Sequence, residues 1–172
     1  MSKSVTIHGS SPWLCSAAEA LYGTVRLSKP VTLVLDQPVG FALQVLPLLQ
    51  PPCVVATQSA SPHYLHDLAG HHPAAVLLEP VSPQRMLEVL ELVASGAVLP
   101  TPGLEAAEPL TQRERQVARL LVKGLSDKEI ARELRVEPKT VSNWVYSLKQ
   151  KIGADNRSQV GLLYLGLRVE LP

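Results

Sequence analysis

The sequence predicts an α/β domain built on a parallel sheet, followed by an all-α domain of four helices. Three observations carry this reading. Up to about residue 95, short aliphatic runs such as VTLVLD alternate with amphipathic stretches, which is the order of a parallel sheet with helices on both sides. From residue 110 onward, two S/T-x-x-E capping signals, a proline at a helix start and helix-stopping glycines cut the chain into short helices. Charge changes at the same place: residues 1–109 hold 4 Lys plus Arg against 8 Asp plus Glu, a balance of −4, whereas residues 110–172 hold 12 against 7, a balance of +5.

Taken in order, SVTIH at 4–8 alternates apolar and polar residues and is predicted as the first strand. Residues 12 to about 27 form a helix with Leu14, Ala17, Ala18, Leu21 and Val25 inward. VTLVLD at 31–36 is nearly continuous aliphatic, the mark of a strand buried on both faces. A helix over 38–50 is weakened by Gly40 and Pro47. Strands at 53–57 and 74–78 flank a short helix at 62–69, and a helix over 83–95 is capped by Ser82 and ended by Gly96. The domains are expected at 1–96 and 110–172. The linker, 97–109, follows from the three prolines and two glycines in the stretch opening at Gly96.

In the second domain, Thr111 can cap the amide of Glu114 while Glu114 reaches back, and Gly124 ends that helix. Ser126 and Glu129 frame a second helix over 127–134. Pro138 opens a third, to about residue 151. Val141, Val145, Leu148 and Ile152 fall on its inner face, while Lys139, Ser142, Asn143, Tyr146, Lys149 and Gln150 lie on the other. Hydrogen-bonding side chains flanked by cations suit base edges in a major groove, with phosphates at the rims.

These residues resemble the helix-turn-helix regulators of the LuxR/NarL (GerE-like) type. The resemblance runs from Leu110 to about Leu165, through LTxRE at 110–114, GLSxKEIAxxL at 124–134, TV at 140–141, and LxxKIG followed by Arg157. It implies double-stranded DNA as partner, with Ser142, Asn143 and Tyr146 at base-contacting positions. Lys139 lies on the same outward face, and Thr140, Lys149, Lys151 and Arg157 lie near the DNA backbone. It also implies a fourth helix, 157–169, that mediates dimerisation. Val160, Leu163, Tyr164 and Leu167 form one apolar stripe there, and the apolar excess fits a symmetric homodimer. Glu137 departs from the usual Ser or Thr cap: its charge suits the helix dipole but repels phosphate. Trp144 replaces a frequent His and is expected to pack.

The first domain resembles a response-regulator receiver, a flavodoxin-like fold, about one βα unit shorter than a full one. Thr57 and Pro80 match the receiver's hydroxyl and proline positions, and Asp36 is the candidate phosphoacceptor. Phosphoryl transfer there needs carboxylates at the end of the first strand to hold Mg²⁺, and a nearby cation. Those positions carry His8, Gly9 and Glu79, so the expectation is a pseudo-receiver in which Asp36 is solvated or capping at a strand end.

Cys15 and Cys53 are distant and unaccompanied, which offers neither a disulfide framework nor a CxxC metal site. No run approaches the eighteen or so apolar residues that span a bilayer, and the N-terminus has no continuous apolar signal core. A cytoplasmic, nucleoid-associated bacterial protein without membrane, metal or cofactor is expected. His63, His66, His71 and His72 cluster, yet Asp67 is the one other ligand type nearby, so exposed loop histidines are expected. Without a nucleophile elbow, phosphate loop or metalloprotease motif, no enzymatic role is expected.

The expected function is dimeric, sequence-specific regulation of transcription, with RNA polymerase or a regulatory protein as a further candidate partner. Two alternatives stand beside it: an N-terminal protein-interaction or ligand-sensing module recruited to DNA with a partner, and a conventional phosphorylated response regulator.

Overall fold

A computed structural model describes residues 4–167. The chain divides into two compact units: Met1–Ala60 with Asp67–Gly103, and Ser61–His66 with Leu104–Pro172. The assignment of Ser61–His66 to the second unit is not announced by the linear order of the chain.

The first unit is a four-stranded parallel sheet of β1 (Val5–Gly9), β2 (Val31–Asp36), β3 (Cys53–Thr57) and β4 (Ala75–Leu78), in that spatial order. A flavodoxin-like sheet runs 2-1-3-4-5. Losing its second, edge strand gives the sequential order seen here, so the shortfall read from the sequence falls between β1 and β2. Helices α1 (Pro12–Tyr22) and α4 (Pro83–Ala94) share one core with the face carrying Val5, Val31, Leu33, Val54, Ala56 and Ala75. Met86, Val89, Leu90 and Val93 of α4 follow helical spacing, and all are buried there. The opposite face carries Val34, Asp36, Val55, Thr57 and Val76. It meets α2 (Phe41–Val45), whose Ala42 amide bonds Asp36. The β1–α1–β2 and β2–α2–β3 connections step the same way across the sheet with helices on opposite faces. They therefore have opposite hands, and one departs from the right-handed rule.

In the first unit, two predicted helices are several residues shorter than expected. The one expected over 12–27 ends at Tyr22, where the Gly23 amide closes onto the Glu19 carbonyl at 2.8 Å. The one expected over 38–50 reduces to α2 and a 3₁₀ turn, Leu46–Leu48, because Gly40 sits at φ 104° before it and Pro47 interrupts it. Helix α3 (Pro62–Ala69) matches its predicted range.

In the second unit, α5 (Gln112–Val122), α6 (Asp127–Leu134), α7 (Pro138–Ile152) and α8 (Arg157–Tyr164) follow a 3₁₀ turn at Leu104–Ala106. Both predicted capping boxes form, Thr111 with Glu114 and Ser126 with Glu129. Each is of the kind that contributes about 1 kcal/mol. Val117, Ile130, Val141, Leu148 and Val160 are fully buried between the helices, whereas Ile152 is half-buried. Gly161 of α8 faces the end of α5, where a Cβ would meet the Val122 Cα at 3.6 Å, an ordinary packing distance. Helix α8 stops five residues short of the predicted 169. Gly166, at φ 76°, turns the chain and the Leu167 amide bonds back to the Leu162 carbonyl at 2.9 Å. Positions 168 and 169 lie outside the described residues.

Candidate nucleic-acid interface

The outward face of α7 is supported from beneath by Val141, Val145 and Leu148, all buried. Lys139, Ser142, Asn143, Tyr146 and Gln150 are exposed on it, Tyr146 at 66%. Thr140 and Lys149 are half-buried at its margins, as is Trp144. Glu137 occupies the N-cap and makes no side-chain capping bond. The sequence pattern thus placed the face correctly.

Two polar networks fix that face. In the first, Ser142 Oγ lies 2.9 Å from Asp127 Oδ2 and 3.2 Å from the Pro138 carbonyl. Asp127 also receives the Arg157 guanidinium, which donates in addition to the Leu125 carbonyl. In the second, Glu114 is buried and accepts from Ser147 at 2.7 Å, Lys151 at 3.0 Å and the Thr111 amide at 2.8 Å. Arg157 and Lys151, expected near the DNA backbone, are partly exposed and each is ion-paired within the unit, to Asp127 and Glu114. Asp127 and Glu114 were read from the sequence as helix-start residues alone. Their longer-range partners had no local signal.

A shallow groove beside the start of α7 is lined by Lys128, Arg132, Arg135, Glu137 and Pro138. None of these cations is among the residues expected at the DNA. Their spacing of four and three residues was the available signal that they share a face.

On α8, Val160 and Tyr164 are buried within the unit. Leu163 is half-buried and Leu162 exposed at 36%, while Leu167, predicted on the same helical stripe, lies beyond the Gly166 turn and is exposed at 45%. The predicted stripe divides into an inner pair and an outer edge. Tyr164 packs edge to face on Tyr64 at 5.9 Å between ring centroids.

The expectation of exposed histidines is corrected for His63, which is 6% exposed. The first turn of α3 packs within the second unit, where His66 bonds the Leu104 carbonyl at 2.8 Å. Burial, and then the neighbouring His66, push the His63 imidazole below its usual range, against a hydrogen bond to the Lys151 backbone that raises it. His71 is half-buried and His72 exposed. Among the described residues no group of three or more His, Cys, Asp or Glu side chains is placed to hold a metal ion.

In the first unit, Asp36 is fully buried and accepts from the Gly40 amide at 3.1 Å, the Ala42 amide at 2.8 Å and Thr57 Oγ1 at 2.7 Å. Those donors pin α2 and β3 to the end of β2. Glu79 accepts from Gln37 at 2.9 Å. A Cβ at Gly9 would stand 2.9 Å from Cys15 Sγ, the free end of that side chain. No described helix is long and apolar enough to cross a membrane.

A family model described as bacterial regulatory proteins, luxR family, matches residues 108–163. The chain is 49% identical over 59 residues to the spore germination protein GerE of Bacillus subtilis (strain 168), covering 33% of this chain and 80% of that protein. It is 33% identical over 109 residues to the transcriptional regulatory protein UhpA of Salmonella typhimurium, covering 60% of this chain and 56% of that protein. The chain spans about half the length of UhpA and of the transcriptional regulatory protein MctR of Rhizobium johnstonii. In fold it is similar to RcsB of Salmonella enterica serovar Typhimurium, in a structure bound to promoter P1flhDC with phosphomimetic BeF3−. The TM-score is 0.64 at 18% identity, over 94% of this chain and 96% of that one.

Proposed function

The chain belongs to the luxR family of bacterial regulatory proteins, and from that premise we propose that it is a sequence-specific, double-stranded-DNA-binding regulator of transcription that acts as a dimer. The observation that carries the proposal is the outward face of α7. Ser142, Asn143 and Tyr146 stand exposed on a helix whose inner face is locked in a core, with Lys139 and Lys149 beside them. Hydrogen-bonding groups held rigidly and flanked by cations are what base readout with phosphate anchoring requires. The groove cations Lys128, Arg132 and Arg135 add further phosphate-binding charge.

The dimer is proposed to form through the outer edge of α8, with Leu163 and Leu167 joined by Leu162, while Val160 and Tyr164 support that edge from within. A two-fold pair of α7 helices then reads half-sites about one helical turn apart. The nucleoid is the proposed place of work, with RNA polymerase or a regulatory protein as a further partner.

Control is proposed to come through a partner or through dimerisation, because the carboxylate of Asp36 is fully buried and engaged by the Gly40 and Ala42 amides and the Thr57 hydroxyl. A phosphoacceptor has to be reachable by its donor. This favours reading the first unit as a protein-interaction or ligand-sensing module.

The test is a salt titration of full-chain binding to duplex DNA by fluorescence anisotropy. The expected log–log slope reflects several phosphate contacts, with a preferred sequence bound more tightly than random DNA. Binding that is absent, or equal on all sequences, would sink the proposal.

A further inference from the structure

We infer that Asp127 decides which base chemistry Ser142 can read, by holding its hydroxyl so that it meets the major groove as a hydrogen-bond acceptor. The inference rests on the reading of α7 as the base-reading helix.

Ser142 Oγ has two neighbours, Asp127 Oδ2 at 2.9 Å and the Pro138 carbonyl at 3.2 Å. A carboxylate and a carbonyl accept and do not donate, whereas a serine hydroxyl has one proton and two lone pairs. The proton is spent inside the protein whichever neighbour takes it, and a lone pair is what remains for the groove. Asp127 is itself held in place. Its other carboxylate oxygen receives the Arg157 guanidinium, which donates at the same time to the Leu125 carbonyl. The guanidinium is a rigid planar fork, so two simultaneous acceptors define its position. Thus the first residue of α8 fixes the first residue of α6, and that residue fixes a hydroxyl on α7.

In the major groove the donors on base edges are the exocyclic amino groups, N6 of adenine and N4 of cytosine. Ser142, so oriented, takes an amino group and is blind to guanine N7 and O6 and to thymine O4. Asp127 is a positioning residue, acting on the base through Ser142. In Asp127→Asn the amide can donate to Ser142 Oγ instead, which occupies a lone pair that would otherwise face the groove and leaves the serine proton to the Pro138 carbonyl at 3.2 Å.

The experiment uses the full chain and duplexes of its selected binding sequence. Single purines or pyrimidines are replaced by analogues lacking the exocyclic amino group (purine for adenine, pyrimidin-2-one for cytosine) or lacking N7 (7-deazapurine). Wild type is expected to lose affinity about fivefold to tenfold on one amino-deleted duplex, with no loss on the 7-deaza duplex at that base pair. Ser142→Ala is expected to be indifferent to the amino deletion there. Asp127→Asn is expected to lose most of the amino response while keeping its circular dichroism spectrum and its affinity for random DNA. An Asp127→Asn protein with the full wild-type amino response would overturn the inference. So would a wild type that responds to N7 deletion, and not to amino deletion, at the pair whose readout Ser142→Ala abolishes. The wild-type series needs no substitution, so it decides the matter even where Asp127→Asn folds poorly. A wild type with no sequence preference on any duplex would overturn the proposed function itself, and this inference with it.

Discussion

Glu114 and Lys151, 37 positions apart in the chain, form an ion pair of 3.0 Å that ties the first turn of α5 to the last turn of α7. Burial alone would raise the Glu114 carboxyl, but hydrogen bonds from Thr111, Ser147 and Lys151 outweigh it. They hold the carboxyl at about 2 against an ordinary 4.5. The folded state thus binds the proton more weakly than the unfolded state does. The stabilisation from Glu114 is fully present above pH 4.5 and is lost as the pH falls toward 2. Urea unfolding followed by circular dichroism across that window should show stability dropping for wild type. Glu114→Gln, less stable at neutral pH by about 2–3 kcal/mol, should show a flatter profile. Parallel profiles for the two proteins would refute the assignment.

Asn143 and Lys149 divide the work on α7. Asn143→Ala should relax preference at one base pair at a cost of about 1–3 kcal/mol on the preferred sequence, with little change on random DNA. Lys149→Ala should weaken all sequences alike and reduce the salt slope by about 1. Equal effects of both substitutions on preferred and random DNA would remove this division of labour.

Asp36 should behave as a structural carboxylate. Asp36→Ala orphans the buried Ala42 amide and Thr57 hydroxyl together with the half-buried Gly40 amide, and should destabilise the first unit by about 3 kcal/mol in chemical denaturation. Incubation of wild type with acetyl phosphate and Mg²⁺ should add no phosphoryl mass and leave DNA affinity unchanged. A phosphorylated Asp36 seen by mass spectrometry, together with tighter DNA binding, would restore the conventional switch.

How far the sequence could be read depended on the range of each interaction. The two capping boxes and the inner face of α7 were legible because their bonds and spacings are local, three or four residues apart. The sheet was legible because β2 and β3 are largely apolar runs, mostly buried along β2 and buried throughout β3. Ser142 and Asp127 are 15 positions apart, and Arg157 and Asp127 are 30 apart, so that network exists once the helices have packed. His63 was misjudged for the same reason, since its burial depends on what the first turn of α3 packs against, and its own periodicity does not record that. The fourth helix was overextended because apolar residues continue past the Gly166 turn that ends it.

The outer edge of α8 should carry self-association. Leu167→Asp should shift analytical ultracentrifugation profiles on DNA from two copies per site toward one. Affinity for the full two-half-site sequence should fall by about tenfold or more, while far-UV circular dichroism stays the same. Val160→Ala should instead lower thermal stability, by about 1–2 kcal/mol, because it opens a cavity in the core of the unit. A Leu167→Asp protein that still assembles in pairs on DNA would move the dimer surface elsewhere.

The central claim, that the exposed face of α7 reads base sequence, is tested most directly by selecting duplexes from a randomised library with the full chain and sequencing what is retained. The account predicts one enriched motif of two related half-sites about one helical turn apart, with information lost at specific base pairs in Ser142→Ala and Asn143→Ala. A library that emerges unenriched, or the same motif at undiminished information from both substituted proteins, would contradict it.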